Sequence, residues 1–281
     1  MEIKEKVFTP SEEDIATYWD RGYWISPKLI SDEQIMALRK AVFRIIDGDI
    51  DGDGFYYLGP WNEPDDETAI RKIQNGWWIN NEVRQIVTSP LIGRIAAKLM
   101  KSDEARLWHD QVILKPGSGT EATDAGNVGW HQDYAYWQCT STDNLISVWI
   151  ALQDTDLSNG AMRTLACSHK QGVIEASDTF TEKNLDSLRD RFEKQFKTPW
   201  IDEPCILKAG QASFHHALCF HGSGKNHSDQ PRLSVVGHYM PRNCAYKQGG
   251  RWHTNVQFLG PRPHDGQLFN NDYFPLVFPK V

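Results

Sequence analysis

A β-rich core decorated with helices, in an α+β or all-β arrangement, is the fold class the sequence predicts. Helix-periodic segments with recognisable caps precede most of the strand-like runs, and only one helical insertion interrupts those runs. Neither a GxGxxG turn after a strand nor a GxxxxGK[ST] loop is present, which removes the main support for a dinucleotide or nucleotide-triphosphate fold. With 281 residues, of which 40% are hydrophobic, the chain can bury one substantial core.

In chain order, Ser11 is placed to cap a short helix whose Ile15, Tyr18 and Trp19 share a face, with Gly22 ending it. Ser31 and Gln34 have capping-box spacing, and Ile35, Leu38, Val42, Ile45 and Ile46 then recur at helical intervals up to Gly48. Pro90 after Ser89 opens a third helix through Leu91, Ile95 and Leu99. A fourth runs around Leu185, Leu188, Phe192 and Phe196. Strands are expected over 107–115, 145–152, 212–220 and 233–240, separated by turns rich in Gly, Pro, Asn and Asp. The expectation is a single domain over 1–281, with a helical part at about 11–102 and the core at about 105–245.

A net charge of −7 without a basic run argues against a nucleic-acid coat protein. Residues 1–6 lack the apolar centre of a signal peptide, and no run of eighteen apolar residues offers a membrane span, so a cytosolic address is expected. The five cysteines (Cys139, Cys167, Cys205, Cys219, Cys244) are scattered without a CxxC pair, as buried free thiols would be. Eleven Trp, nine Tyr and twelve Phe cluster near polar residues and point to an aromatic-walled pocket.

His131 and Asp133 stand two apart in a strand-like segment, so both can face one cation while Gln132 points away. Such a pair is common by chance. A third donor is supplied by His221, which follows the apolar run 217–220 and precedes Gly222-Ser223-Gly224. Two histidines and a carboxylate on one face of an iron(II) ion leave positions open for a co-substrate and O2. His215 has the same strand parity as His221, and His215 and His216 leave an alternative third ligand open. Arg232 begins the next strand, and a planar guanidinium can hold the distal carboxylate of 2-oxoglutarate through paired hydrogen bonds. Ser234 and His238 share its face.

On these residues the sequence resembles the phytanoyl-CoA dioxygenase family of iron(II)- and 2-oxoglutarate-dependent oxygenases. Further stretches carry the likeness: residues 22–31, then Asn159-Gly160 with Ser168-His169-Lys170, where Cys167 takes a position usually held by Gly, and His221 to Gly224 with Pro231-Arg232. The resemblance spans roughly residues 15–240. It implies a double-stranded β-helix, a cupin-like jelly roll with iron at its open end. It also implies that Trp149, Ser223 and Lys72 help hold 2-oxoglutarate and that Gln111 lies on a pocket-lining strand. Asp at 133, where related halogenases have Ala or Gly, implies hydroxylation of a small-molecule C–H bond with release of succinate and CO2. The competing readings are a cupin metalloenzyme that does not use 2-oxoglutarate and a non-catalytic jelly-roll binding module.

Tyr134, Tyr136 and Trp137, which follow the ligand pair, and Trp78 are candidate substrate walls. Residues 47–52 begin like an EF-hand loop, but Leu58 stands where a glutamate ligand is needed, so a solvated acidic loop is expected. With Asp65, Asp66 and Glu67 it could attract a cationic substrate. Asn226-His227-Ser228 fits a glycosylation sequon and is read as a turn.

Overall fold

The computed structural model describes residues 8–51, 66–197 and 199–279. The N-terminal helices follow their caps. In α1 (Glu12–Arg21) Ser11 forms a capping box with Asp14, and Gly22 ends the helix at φ 84°. In α2 (Asp32–Ile46) Ser31 and Gln34 cap reciprocally. A helix the periodicity did not suggest, α3 (Asn81–Val87), has Asn80 as its cap and only seven residues, too few to display a pattern. α4 (Pro90–Leu99) starts at its proline, and α5 (Leu185–Glu193) stops short of Phe196.

The strands, in chain order, are β1 (Tyr23–Ile25), β2 (Arg71–Gln74), β3 (Ala105–Lys115), β4 (Val128–His131), β5 (Ile146–Ala151), β6 (Met162–Leu165), β7 (Asp202–Pro204), β8 (Ala212–His216), β9 (His221–Ser223), β10 (Arg232–Pro241) and β11 (Leu276–Phe278). One sheet has the order β1-β8-β5-β10-β3-β11, with β2 also pairing with β3, and the other has the order β4-β9-β6-β7. All the pairings are antiparallel. Ile113, Trp149 and Val236 of the larger sheet pack with Val128 and Met162 of the smaller one, so the two sheets close on each other as a jelly roll.

β10 sits centrally and is buried along its whole length. Leu233, Val235 and Tyr239 pack outward into the layer formed by α1 to α4, while Arg232, Ser234, Val236 and His238 occupy the opposite parity. A register shift after His238 accommodates Trp108 of β3 as an extra residue. Ile45 of α2 is fully buried in the helical layer. Ile45→Ala should cost about 2–5 kcal/mol through the cavity it leaves. The check is the shift of the urea midpoint at constant slope.

The expected strand 212–220 breaks after His216. The Leu218 amide donates to the His216 ring and the Cys219 amide to the His216 carbonyl, and this turn carries the chain from the larger sheet to the smaller one. An apolar run is equally suited to a strand and to a buried crossover, which is why the sequence reads as one element. Beyond residue 245 the chain keeps packing on the barrel, with Val256, Phe269 and Phe274 gathered around Trp108.

Several minor features have structural roles. Arg44 pairs with Asp49 and Asp51, and Asp51 also accepts from the Asn81 amide, so these acids fasten α2 to α3; Gly52 and Leu58 of the same loop, and Asp65, lie outside the described residues. Asn226 is buried in a turn and donates to the carbonyls of Lys115 and Gln230. Cys167 takes φ 64°, the left-handed conformation that glycine adopts at least cost. The five cysteines are free. Among the described residues no helix is long and apolar enough to cross a membrane.

Candidate metal and co-substrate site

His131 ends β4 and Asp133 opens a single 3-10 turn, Asp133–Tyr136. The expectation of one continuous strand is therefore corrected: the chain stays extended through Gln132 and bends at Asp133. The bend is held by the Gln132 side chain, which donates to the Gly172 and Leu218 carbonyls and accepts from the Ile174 amide. His221, at the start of β9, is the cross-strand partner of His131.

Ligand atoms of His131, Asp133 and His221 lie within 4.8 Å of one another. Asp133 Oδ1 is 3.6 Å from His131 Nε2 and 4.0 Å from His221 Nε2. The far ring nitrogens are fixed by backbone: His131 Nδ1 lies 2.7 Å from the Gly129 carbonyl and His221 Nδ1 lies 2.9 Å from the Cys219 carbonyl. A carbonyl only accepts, so each Nδ1 carries the hydrogen, which leaves Nε2 as the nitrogen placed to bind a metal. Burial, reinforced by the neighbouring His131 ring, pushes His221 well below the ordinary imidazole range and keeps it neutral. Burial opposes ionisation of Asp133, but the polar groups packed around the carboxylate outweigh it and hold the carboxyl well below its usual range. Two imidazole nitrogens and one carboxylate gathered at one point form a donor set suited to ferrous iron.

The other oxygen of Asp133 is oriented from behind. Ser147 Oγ donates to Asp133 Oδ2 at 2.5 Å, and His238 Nδ1 lies 2.8 Å from Ser147 Oγ. Because the serine hydrogen is engaged, His238 is the donor in that second contact. Ser147 was not singled out in the sequence. Its only prior signal is its place on β5, opposite His238. His215, the alternative ligand, stands beside the cluster with Nε2 3.5 Å from Asp133 Oδ2, whereas His216 points away and its ring lies 5.9 Å from that of Trp19.

A cavity of about 290 Å³ opens over these groups. Lys72, Gln111, Trp149, Ser223 and Arg232 line it together with the three clustered side chains, and Tyr136 and Trp137 form part of its wall. Arg232 is buried, donates through Nη1 to the Gly160 carbonyl and places its guanidinium 5.1 Å from the Trp149 ring centroid. Its Nε has no partner. Burial lowers it only to about 10, so it stays charged. Lys72 Nζ lies 3.8 Å from the Phe180 ring centroid, and burial brings its amine down to about 8.

Two aromatic expectations are corrected. Trp78 lies outside this cavity and packs edge-on against Phe258 and Tyr273, at 4.8 and 6.0 Å between centroids. Tyr134 turns into the cluster around Trp108, with its hydroxyl near the Thr140 carbonyl, because the 3-10 turn sends successive side chains in different directions. The wall is completed by residues the sequence did not single out, among them Phe180, Arg251 and His253. Among the described residues Asp133 is the only acid lining the cavity, against Lys72, Arg232 and Arg251, and Asp66 is engaged by Thr68 and Thr123. That balance runs against the expected attraction of a cationic substrate.

A phytanoyl-CoA dioxygenase (PhyH) family model matches residues 18–234, most of the chain. The chain belongs to the phytanoyl-CoA dioxygenase family. It is an iron(II)- and 2-oxoglutarate-dependent oxygenase, with iron as its metal. Among similar proteins, a probable alpha-ketoglutarate-dependent hypophosphite dioxygenase of Stutzerimonas stutzeri is 26% identical over 79% of this chain and 76% of its own length. An ectoine dioxygenase of Streptomyces avermitilis is 25% identical over 89% of this chain and 85% of its own. Among solved structures, the carbocyclase SnoK and the epimerase SnoN of nogalamycin biosynthesis superpose with TM-scores of 0.73 and 0.71, at 20% and 22% identity. Each covers 95% of this chain, with 96% of SnoK and 98% of SnoN aligned, which shows that this chain shares their fold.

Proposed function

We propose that residues 1–281 act as a single cytosolic catalytic domain that hydroxylates a C–H bond of a small organic molecule. His131, Asp133 and His221 are its iron ligands, and Arg232, assisted by Ser223, Trp149, Lys72 and Gln111, holds 2-oxoglutarate. The observation that carries this reading is that the three donors and Arg232 share one cavity.

Bound at the triad, ferrous iron with 2-oxoglutarate and O2 supplies the oxidising power that a C–H bond requires, leaving succinate and CO2. The protein's own task is placement. Backbone carbonyls fix both histidine tautomers, and Ser147 fixes the rotation of Asp133. Arg232 offers a rigid planar fork to a carboxylate, and the Trp149 ring beside it shields that fork from water. Phe180 and Tyr136 stand 5.2 and 6.2 Å from the His131 ring and limit water at the reacting face. The lining, short of acids and rich in aromatic and neutral polar groups, suits a neutral or anionic substrate.

Purified protein given iron(II), ascorbate, 2-oxoglutarate and O2 should release succinate slowly even without substrate. It should also show a charge-transfer band when iron and 2-oxoglutarate are combined anaerobically. Absence of both signals would reject the reading.

A further inference from the structure

Lys115 is a buried cation to which the proposed function gives no task. It ends β3 with no exposed surface and lies directly opposite Arg232 in the β3–β10 ladder, so the two side chains leave the same face of the sheet. Its Nζ donates to Ser223 Oγ at 2.7 Å and to the Gly224 carbonyl. Ser223 and Arg232 line the cavity; Lys115 does not, and so stands behind Ser223. Among the described residues no carboxylate lies within ion-pair distance of Lys115 or Arg232. Two basic side chains held together in a dry interior, with no anion from the protein, form a site arranged for an anion from outside.

We propose that Lys115 is a positioning residue for 2-oxoglutarate: by donating to Ser223 Oγ it leaves the serine hydroxyl hydrogen free for the distal carboxylate, and it places a second positive charge behind the one supplied by Arg232. This rests on the oxygenase reading and adds to it a residue that acts through another. A hydroxyl whose oxygen already accepts from an ammonium has its hydrogen left to donate, so Lys115 sets the polarity of Ser223 as well as its rotamer.

A linkage follows. Burial first, then the charges of Arg232 on β10 and Lys183 ahead of α5, push the Lys115 amine well below its ordinary range in the free protein. An arriving carboxylate favours the protonated amine and moves it back up. Binding of 2-oxoglutarate therefore takes up part of a proton between those two limits, and affinity falls as pH rises through that window.

The test is calorimetric titration of 2-oxoglutarate into anaerobic iron(II)-loaded protein, in two buffers of different ionisation enthalpy, which gives affinity and proton uptake together. Lys115→Met should weaken binding roughly tenfold to a hundredfold and reduce the proton uptake, leaving the share that Lys72 in the cavity takes up, while iron binding and melting temperature stay near those of the parent. Lys115→Arg should recover much of the affinity with a pH dependence weaker than the parent's. In a Ser223→Ala background, Lys115→Met should cost much less than it does alone. Parental affinity and proton count in Lys115→Met, or fully additive losses in the double variant, overturn the proposal. If Lys115→Met does not fold, Lys115→Arg decides, because a proton uptake and pH dependence undiminished by a side chain that cannot titrate also overturn it. A parent protein that binds iron but not 2-oxoglutarate rejects the oxygenase reading instead.

Discussion

Asp133→Ala should leave a protein that folds but no longer retains iron after dialysis and releases no succinate above background. The loss in iron affinity should exceed the roughly hundredfold that removal of an outer partner costs, because the carboxylate donor disappears and only the two imidazoles remain. Ser147→Ala is the graded companion. It keeps all three donors and removes the 2.5 Å hydrogen bond that orients Asp133, together with the link to His238. Its iron affinity should fall roughly tenfold to a hundredfold. Metal content and anaerobic titration measure both variants. An Asp133→Ala protein that holds iron as tightly as its parent would remove residue 133 from the ligand set.

The contrast between these two positions shows what was legible in the sequence. His131, Asp133 and His221 could be found because a metal site demands particular residue types and each stands in a recognisable local setting. Ser147 has no such setting, since one serine in an apolar strand resembles any other until the β5–β10 register sets it opposite His238. Arg232 was legible because its parity on a long strand is a period-2 property, and β10 preserves that parity from Arg232 to His238. Lys115 was not, because a lysine at a strand end reads as a solvated charge and only the facing strand reveals its burial.

Helix starts were readable where a cap and a long apolar stripe coincide, as in α2. The missed α3 is held by its cap and its neighbours more than by any periodicity of its own. The cavity wall failed in sequence reasoning for a different reason. Tyr134 and Trp78 are aromatic and near the right elements, but direction in a 3-10 turn or a loop is set by tertiary packing, which composition does not encode. Phe180, Arg251 and His253 reach the cavity from segments distant along the chain, and nothing near them marks that destination.

Arg232→Ala should raise the concentration of 2-oxoglutarate needed for half-maximal turnover by about two to three orders of magnitude, in line with the 2–5 kcal/mol lost when a buried hydrogen-bonded charge is truncated. Its effect on saturated turnover should be much smaller, because the iron ligands are untouched and, in the proposed reading, Arg232 would meet only the end of the co-substrate remote from the metal. Arg232→Lys should recover only part of the loss. A lysine restores the charge beside Trp149 but not the planar fork, and its shorter reach gives up the bond to the Gly160 carbonyl. Steady-state kinetics in 2-oxoglutarate, with iron binding measured in parallel, separate these effects. A metalloenzyme of the same fold that makes no use of the keto acid would show neither the shift nor the partial rescue. A fall in saturated turnover at an unchanged half-saturating concentration would mean instead that Arg232 supports the barrel and not the co-substrate.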